Sequence, residues 1–151
     1  HTPDEVMLFL EDDLLFSSKF GKAIEEVGRQ FKDYHTVDIV TLYGSGDCYW
    51  PSENNKARNA IYKFSGQDYY GNLAVAFSPK VLDWWLNHRH DLWNNNYSGW
   101  DIKIGNVFEA VGFNFYCTQR HYVQHQVGPS VIAESYKNQQ SNNLFCINCK
   151  H

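Results

Sequence analysis

The apolar and polar positions of the chain predict strands and helices in alternation, and the first apolar run ends in acids. Residues 6–10 are apolar, Glu11, Asp12 and Asp13 follow, and residues 14–16 are apolar again. A continuous apolar run of this kind is typical of a strand covered on both faces. Ionised carboxylates beside such a strand are costly unless a cation or strong hydrogen-bond donors meet them. We therefore expect a divalent metal at the carboxyl end of this strand, where open α/β sheets bind their ligands.

Apolar residues at helical spacing predict three helices. The first follows the acidic segment, with Ser17 or Ser18 as its cap, and its apolar face comprises Phe20, Ala23, Ile24, Val27 and Phe31. Pro79 is expected as the first residue of a second helix, which continues over residues 80–87 with a heavily buried face. A third helix is predicted over residues 100–110, and Gly112 is expected to end it.

The other apolar segments predict short strands. The β-branched run 37–43 ends in a glycine-containing turn, and further strands are predicted over residues 60–64, 72–77, 113–117 and 122–125. Strands and helices in mixed order predict an α/β domain with a mixed, partly parallel, Rossmann-like sheet flanked by helices. We expect this domain to occupy residues 1–135, followed by a polar C-terminal tail over residues 136–151.

Composition narrows the classes of partner. A chain of 151 residues that is 43% hydrophobic suits one compact domain. Its net charge of -4 supplies no basic field for a nucleic-acid backbone, so we expect no nucleic-acid partner. No apolar run reaches the roughly 18 residues of a membrane span, so we expect no membrane contact from this chain. Aromatic residues make up 17% of the chain, which is typical of sugar sites as well as of aromatic cores.

The acidic segment has the chemistry of a metal site. The strand period of two places Glu11 and Asp13 on one face and Asp12 on the other, so two carboxylates are expected to converge. Carboxylate oxygens suit Mg²⁺ or Mn²⁺, which keep part of their coordination shell for substrate phosphates. The alternative is a solvated turn, in which Asp12 or Asp13 caps the following helix.

An apolar strand followed by Glu-Asp-Asp resembles the DxD-type motif of the GT-A glycosyltransferases. The resemblance implies that Asp13 is the metal ligand, that Asp12 helps to hold the metal or a water molecule, and that Glu11 reaches the ribose or the sugar. In this family, strands that bind the nucleotide base precede the acidic motif. We therefore expect a GT-A-like fold whose N-terminal nucleotide-binding part lies outside this chain.

Residues 69–82 and 99–101 extend the resemblance. Gly71, followed by a strand and then by Ser-Pro-Lys before a helix, resembles the acceptor-side segment of these enzymes. Asp101 at the start of a helix is similar to the segment that supplies the catalytic base in inverting members, and the alternative is an ordinary N-cap. Five aromatic residues are candidates for stacking against sugar rings, although Trp84 or Trp85 is expected in the core: Trp50, Tyr69, Trp84, Trp85 and Trp100.

Residues 122–130 resemble a segment near the end of several GT-A domains. The resemblance implies that His125 joins the metal or contacts the diphosphate, and a neutral imidazole is an acceptable ligand for Mn²⁺. Gly128 and Ser130 would present an amide and a hydroxyl to phosphate. The alternatives are a hydrogen-bonded structural histidine and a simple turn.

Together the motifs imply transfer of a sugar from a nucleotide-diphosphate donor to an acceptor hydroxyl, with inversion and with Mn²⁺ or Mg²⁺ as cofactor. The implied acceptor is a carbohydrate, a glycoprotein or a glycolipid. The alternatives are a non-catalytic carbohydrate-binding domain of the same fold and a metal-dependent phosphoesterase that uses His121 and His125. The resemblance leaves two locations open: the Golgi lumen, within a longer membrane-anchored protein, or the cytoplasm of a bacterium or a virus-infected cell.

Overall fold

The computed structural model describes residues 6–43, 61–69, 73–93, 99–118 and 121–125. Within these ranges the chain forms strands β1 to β7, helices α1 to α3 and one short 3₁₀ helix. In chain order they are β1 (Met7–Leu10), β2 (Leu14–Phe16), α1 (Phe20–Asp33), β3 (Ile39–Thr41), β4 (Ile61–Phe64), the 3₁₀ helix (Gly66–Asp68), β5 (Ala74–Phe77), α2 (Pro79–Trp93), α3 (Trp100–Val111), β6 (Phe115–Thr118) and β7 (Val123–His125).

The larger sheet has five strands in the order β1-β5-β3-β6-β4, and the smaller sheet pairs β2 with β7. β3 and β6 are parallel, whereas β5 is antiparallel to both β1 and β3. β1, β3 and β6 therefore point in the same direction, and their C-terminal ends share one side of the sheet, the carboxyl edge. This mixed and partly parallel sheet with three described helices confirms the predicted α/β class.

The two faces of the larger sheet carry separate parts of the core. On one face, Val40, Leu42 and Ala76 pack with apolar residues of α1, including Val27. On the other face, α2 and α3 cover the sheet through a cluster of buried residues that includes Val75, Phe77, Val81, Ile104, Phe108 and Phe115. Neighbouring residues of one strand belong to different clusters because successive side chains point to opposite faces. The sheet is thus covered by α1 on one side and by α2 and α3 on the other.

Strand β1 differs from its prediction in two ways. It ends at Leu10, and residues 11–13 form a bend that leads into the smaller sheet, so the expected alternation of Glu11 and Asp13 with Asp12 along one strand is wrong. β1 also lies at the edge of the five-stranded sheet, where Phe9 and Leu10 are 38% and 39% exposed. β1 pairs only with β5 in the described part of the chain. Without a second neighbouring strand, its side chains are less covered than those of a central strand.

Helix α1 begins at Phe20 without a side-chain cap, so the expected serine cap is wrong. The hydroxyl of Ser17 instead accepts a hydrogen bond from the amide of Lys19 at 3.3 Å, before the helix begins. Helix α2 starts at Pro79 as predicted but continues to Trp93, with non-helical backbone angles at His88. Its apolar face is less buried than predicted, because Leu86 is 58% exposed.

Helix α3 lies between two glycines with positive φ, Gly99 at 90° and Gly112 at 95°. Gly112 adopts the left-handed conformation that commonly ends helices, and its amide donates to the carbonyl of Glu109 at 2.9 Å. This confirms the predicted end of the helix. None of the described helices is long and apolar enough to cross a membrane.

Candidate functional site

The acidic segment lies at the carboxyl edge, directly after β1. The amide of Glu11 donates to the carbonyl of Leu73 at 3.0 Å, which fixes the start of the segment beside the beginning of β5. Glu11 is half-buried, whereas Asp12 and Asp13 are exposed. The two aspartates therefore face solvent at the junction of the larger and the smaller sheet, in position to meet a ligand from outside.

The pairing of β2 with β7 brings a second predicted site residue to this junction. Leu14 and His125 are direct partners in the antiparallel register, and such partners have Cα atoms about 4.5–5.5 Å apart. Asp13 precedes Leu14, so the backbone of His125 lies next to the acidic segment although the two are far apart in sequence. The described structure includes the backbone of His125 but not its side chain. Gly71, Gly128 and Ser130 lie outside the described residues.

Helix α3 also begins at the carboxyl edge. Its twelve residues span about 18 Å, and it ends shortly before β6 starts on the opposite side of the sheet. Asp101 lies in the first turn of α3, and its Oδ1 accepts a hydrogen bond from the amide of Ile102 at 2.9 Å. Gly99 occupies the N-cap position, so the alternative in which Asp101 is the N-cap is wrong.

Glu11 and Asp101 converge on one buried phenol. Tyr69 is 1% exposed, and its pKa is raised well above the ordinary value, first by burial, then by the Asp101 carboxylate and then by that of Glu11. Two of the predicted site residues, Glu11 directly after β1 and Asp101 in α3, therefore act electrostatically on the same hydroxyl. Burial also means that Tyr69 cannot stack against a sugar ring, and this part of the prediction is wrong.

The described tryptophans divide between core and surface. Trp84 and Trp85 make edge contacts with Phe108, with ring centroids 5.5 and 5.6 Å apart. Trp100 is 36% exposed beside Asp101 and lies 6.2 Å from Trp85, measured between ring centroids. Trp100 is thus the described tryptophan that best retains a surface for a ligand. Trp50 lies outside the described residues.

His121 belongs to the same edge of the sheet, although the sequence singled it out only for the phosphoesterase alternative. The amide of the next residue, Tyr122, donates to the carbonyl of Leu42 after β3. Burial lowers the pKa of His121 to about 4, so its imidazole is neutral at physiological pH. Within the described structure its Nδ1 has no hydrogen-bond partner. A histidine three residues after the end of a buried strand is a sequence signal similar to the acids after β1.

The described residues include the side chains of only some of the predicted metal ligands. Among them, no group of three or more His, Cys, Asp and Glu side chains could hold a metal ion. Asp12 and Asp13 supply exposed oxygen donors close to the backbone of His125. Ligation of Mn²⁺ or Mg²⁺ by Asp13 and His125 therefore stays a prediction.

No protein-family model matches the chain, and no curated protein matches it. Function is therefore inferred from the residues and from where the fold places them.

Proposed function

We propose that this chain is the acidic-motif part of a GT-A glycosyltransferase that moves a sugar from a nucleotide-diphosphate donor to an acceptor hydroxyl with inversion. One observation carries this proposal. The carboxyl edge unites Glu11, Asp12 and Asp13 with Asp101 and with the backbone of His125. These residues come from three separate segments of the chain, and a donor site beside a general base needs that combination.

The exposed edge of β1 supports the GT-A assignment. Phe9 and Leu10 are consecutive, so their side chains point to opposite faces of the sheet, and each is more than a third exposed. An edge strand with apolar side chains on both faces is normally avoided because it invites further strand pairing. Additional strands beside β1, with their own covering helices, would bury both residues. The resemblance to the GT-A family implies nucleotide-binding strands ahead of the acidic motif, and such strands could pair with this edge.

The donor side is formed by the acidic segment. Asp13 and His125 would hold Mn²⁺ or Mg²⁺, Asp12 would help to hold the ion or a water molecule, and Glu11 would contact the ribose or the sugar. A bound divalent ion stabilises the negative charge that develops on a diphosphate leaving group. Gly128 and Ser130 would donate hydrogen bonds to the phosphates.

The acceptor side is formed by the start of α3. Asp101 accepts the proton of the acceptor hydroxyl as that oxygen attacks the sugar, and the amide of Ile102 holds one of its carboxylate oxygens in place. Trp100 offers an exposed ring next to this carboxylate for an acceptor sugar. By the resemblance, Gly71 would also contact the acceptor. Attack from the face opposite the leaving group produces inversion.

A non-catalytic carbohydrate-binding domain is the second candidate. The exposed ring of Trp100 beside Trp85 favours it, since sugar-binding proteins use such surfaces without any catalytic group. It predicts sugar binding that is lost in Trp100→Ala, without donor turnover. A phosphoesterase would instead release phosphate from a simple phosphate ester.

Thermal unfolding with a panel of nucleotide diphosphates, each with and without Mn²⁺, tests the donor site. A ligand that binds only the folded state raises the unfolding midpoint, and at about 100 times its Kd it adds about 2.7 kcal/mol of stability. We expect one nucleotide to raise the midpoint only when Mn²⁺ is present. The rise should disappear in Asp13→Ala and persist in Asp33→Ala, which removes an exposed carboxylate at the end of α1. An equal rise in Asp13→Ala would contradict the assignment of the metal ligand.

A further inference from the structure

Tyr69 is a buried phenol on which two predicted site carboxylates, Asp101 and Glu11, act electrostatically. It follows the 3₁₀ helix and lies at the C-terminal side of that turn. Its ring packs against Phe115 of β6, with ring centroids 5.3 Å apart and the planes tilted by 46°. With 1% of its surface exposed, the side chain has little freedom to move. Its hydroxyl is therefore held in one place relative to its neighbours.

A close glycine contact positions Tyr69 on α3. A Cβ atom added to Gly105 would collide with the carbonyl oxygen of Gly66 and would lie 3.0 Å from the Cβ of Tyr69. The backbone of the 3₁₀ helix thus touches the backbone of α3, which only glycine at both positions permits. Asp101 precedes Gly105 by four residues, so it lies one turn away on the same face of the helix. Tyr69 and Asp101 are therefore neighbours along one face of α3.

Glu109 fixes the same contact from the other end. The Ser65 hydroxyl and the amide of Gln67 donate to its two carboxylate oxygens at 2.9 and 3.1 Å. Glu109 follows Gly105 by four residues and lies on the same helix face. The 3₁₀ helix segment is consequently hydrogen-bonded to α3 at Glu109, and it packs against α3 one turn earlier, at Gly105. Tyr69, which directly follows the 3₁₀ helix, is thereby held against α3 near Gly105, one helical turn from Asp101.

Glu11 approaches Tyr69 from the sheet. Its amide is bonded to the carbonyl of Leu73, four residues after Tyr69 in the chain, so the end of β1 and the segment that follows Tyr69 are tied together. Glu11 and Asp101 come from opposite sides of the proposed site, the donor side and the acceptor side. Tyr69 is where these two sides meet inside the protein.

We propose that Tyr69 is a positioning residue whose hydroxyl lies between the carboxylates of Glu11 and Asp101 and donates a hydrogen bond that the two share. The contact holds the general base of the acceptor side in a fixed place relative to the donor side. The roles of Glu11 and Asp101 follow from the proposed function, whereas the contact itself does not depend on it.

A phenol suits this task because of its charge. Burial and the two carboxylates both favour its neutral form, so the hydroxyl keeps its proton and remains a donor throughout the physiological pH range. A neutral hydroxyl can donate to two negatively charged carboxylates without adding a charge of its own. A lysine in the same place would form an ion pair and remove basic character from the carboxylate that accepts the proton.

The first experiment tests the contact without any catalytic assay. The protein is labelled with ¹³C at the ζ carbon of tyrosine, and Tyr69→Phe identifies the Tyr69 resonance by its loss. We expect this resonance to move in Glu11→Gln and in Asp101→Asn, because each change replaces a charged acceptor of the hydroxyl. It should stay in place in Asp83→Asn, which alters an exposed carboxylate on α2. A Tyr69 chemical shift that is unchanged in both Glu11→Gln and Asp101→Asn would overturn the proposal.

The second experiment tests the consequence for turnover of nucleotide sugars with Mn²⁺. Tyr69→Phe keeps the ring and removes only the hydroxyl, so kcat should fall about 10- to 100-fold while KM for the donor is unchanged. The control is Tyr116→Phe, whose side chain lies on the opposite face of β6 from Phe115 and should leave kcat unchanged. An unchanged kcat in Tyr69→Phe would overturn the positioning role. A wild-type chain that transfers no sugar would refute transfer by this chain alone, and the resonance shifts would then decide the contact by themselves.

Discussion

At the scale of single residues, burial determines the chemistry of the site more than residue type does. His121 and Asp13 both follow apolar segments near the carboxyl edge, yet His121 is 2% exposed and Asp13 is exposed to solvent. The buried imidazole stays neutral, whereas the carboxylate of Asp13 lies at the solvent-exposed surface. Tyr69 shows the same effect, since a residue expected to stack on a ligand is buried, and its burial, Asp101 and Glu11 together raise its pKa.

The buried imidazole of His121 predicts a loss of stability in acid. Its pKa is lowered from 6.5 to about 4 in the folded protein, so below pH 6.5 the unfolded chain binds a proton that the folded chain does not. The free energy of unfolding should therefore fall as the pH drops from 6.5 towards 4, by about 3 kcal/mol for this group in full. Above pH 6.5 the group contributes no pH dependence.

Urea unfolding of the wild type and of His121→Gln across this pH range measures the effect. The variant should be less stable overall, but its free energy of unfolding should decrease less steeply between pH 6.5 and about 4. The difference between the two slopes isolates His121 from the carboxylates that titrate in the same range. Parallel pH profiles for the two proteins would contradict the burial of a neutral imidazole.

At the scale of elements, the 3₁₀ helix and α3 behave as one unit because of Gly66 and Gly105. A Cβ on Gly66 would lie 2.6 Å from the carbonyl oxygen of Gly105, which is closer than folded proteins allow. Any side chain at either position would separate the two elements and move Tyr69 away from the first turn of α3. The contact therefore couples packing to the geometry of the site.

Gly105→Ala and Gly28→Ala form a matched pair that tests this coupling. Both glycines lie inside helices, but a Cβ on Gly28 would meet nothing within 4 Å. Gly28→Ala should raise the free energy of unfolding by about 0.5–1 kcal/mol through helix propensity. Gly105→Ala should lower it by about 1–3 kcal/mol because the change overpacks a closed contact. Denaturant unfolding distinguishes the two, and equal effects would contradict the close approach.

The elements also show how far the sequence predicts this fold. The end of α3 at Gly112 was predictable because a glycine in the left-handed conformation leaves a local signal. The start of α1 was not, since Ser17 and Ser18 resemble caps and the chain begins the helix at Phe20 without one. The burial of Tyr69 was also not predictable, because it depends on a contact between glycines 39 positions apart in the sequence.

At the scale of the whole molecule, strand order explains why the site residues meet. The sequence predicted each acid at the end or start of an element, but not that β1, β3 and β6 point the same way. That direction places Glu11, Leu42 and His121 on one edge, and the β2–β7 pairing adds the backbone of His125. The exposed edge position of β1 was missed for the same reason, since pairing partners cannot be determined from one apolar run.

Turnover of nucleotide-diphosphate sugars tests the proposed chemistry most directly. The released and transferred sugar is measured for a panel of labelled donors, with and without Mn²⁺ and with simple glycosides as acceptors, in the wild type, Asp13→Ala, Asp101→Asn and Asp33→Ala. We expect metal-dependent transfer from one donor in the wild type and in Asp33→Ala. Transfer should be at least about 100-fold slower in Asp13→Ala and Asp101→Asn. Transfer that persists in Asp13→Ala would contradict a metal-dependent glycosyltransferase at the carboxyl edge, and transfer from no donor would contradict a complete donor site within this chain.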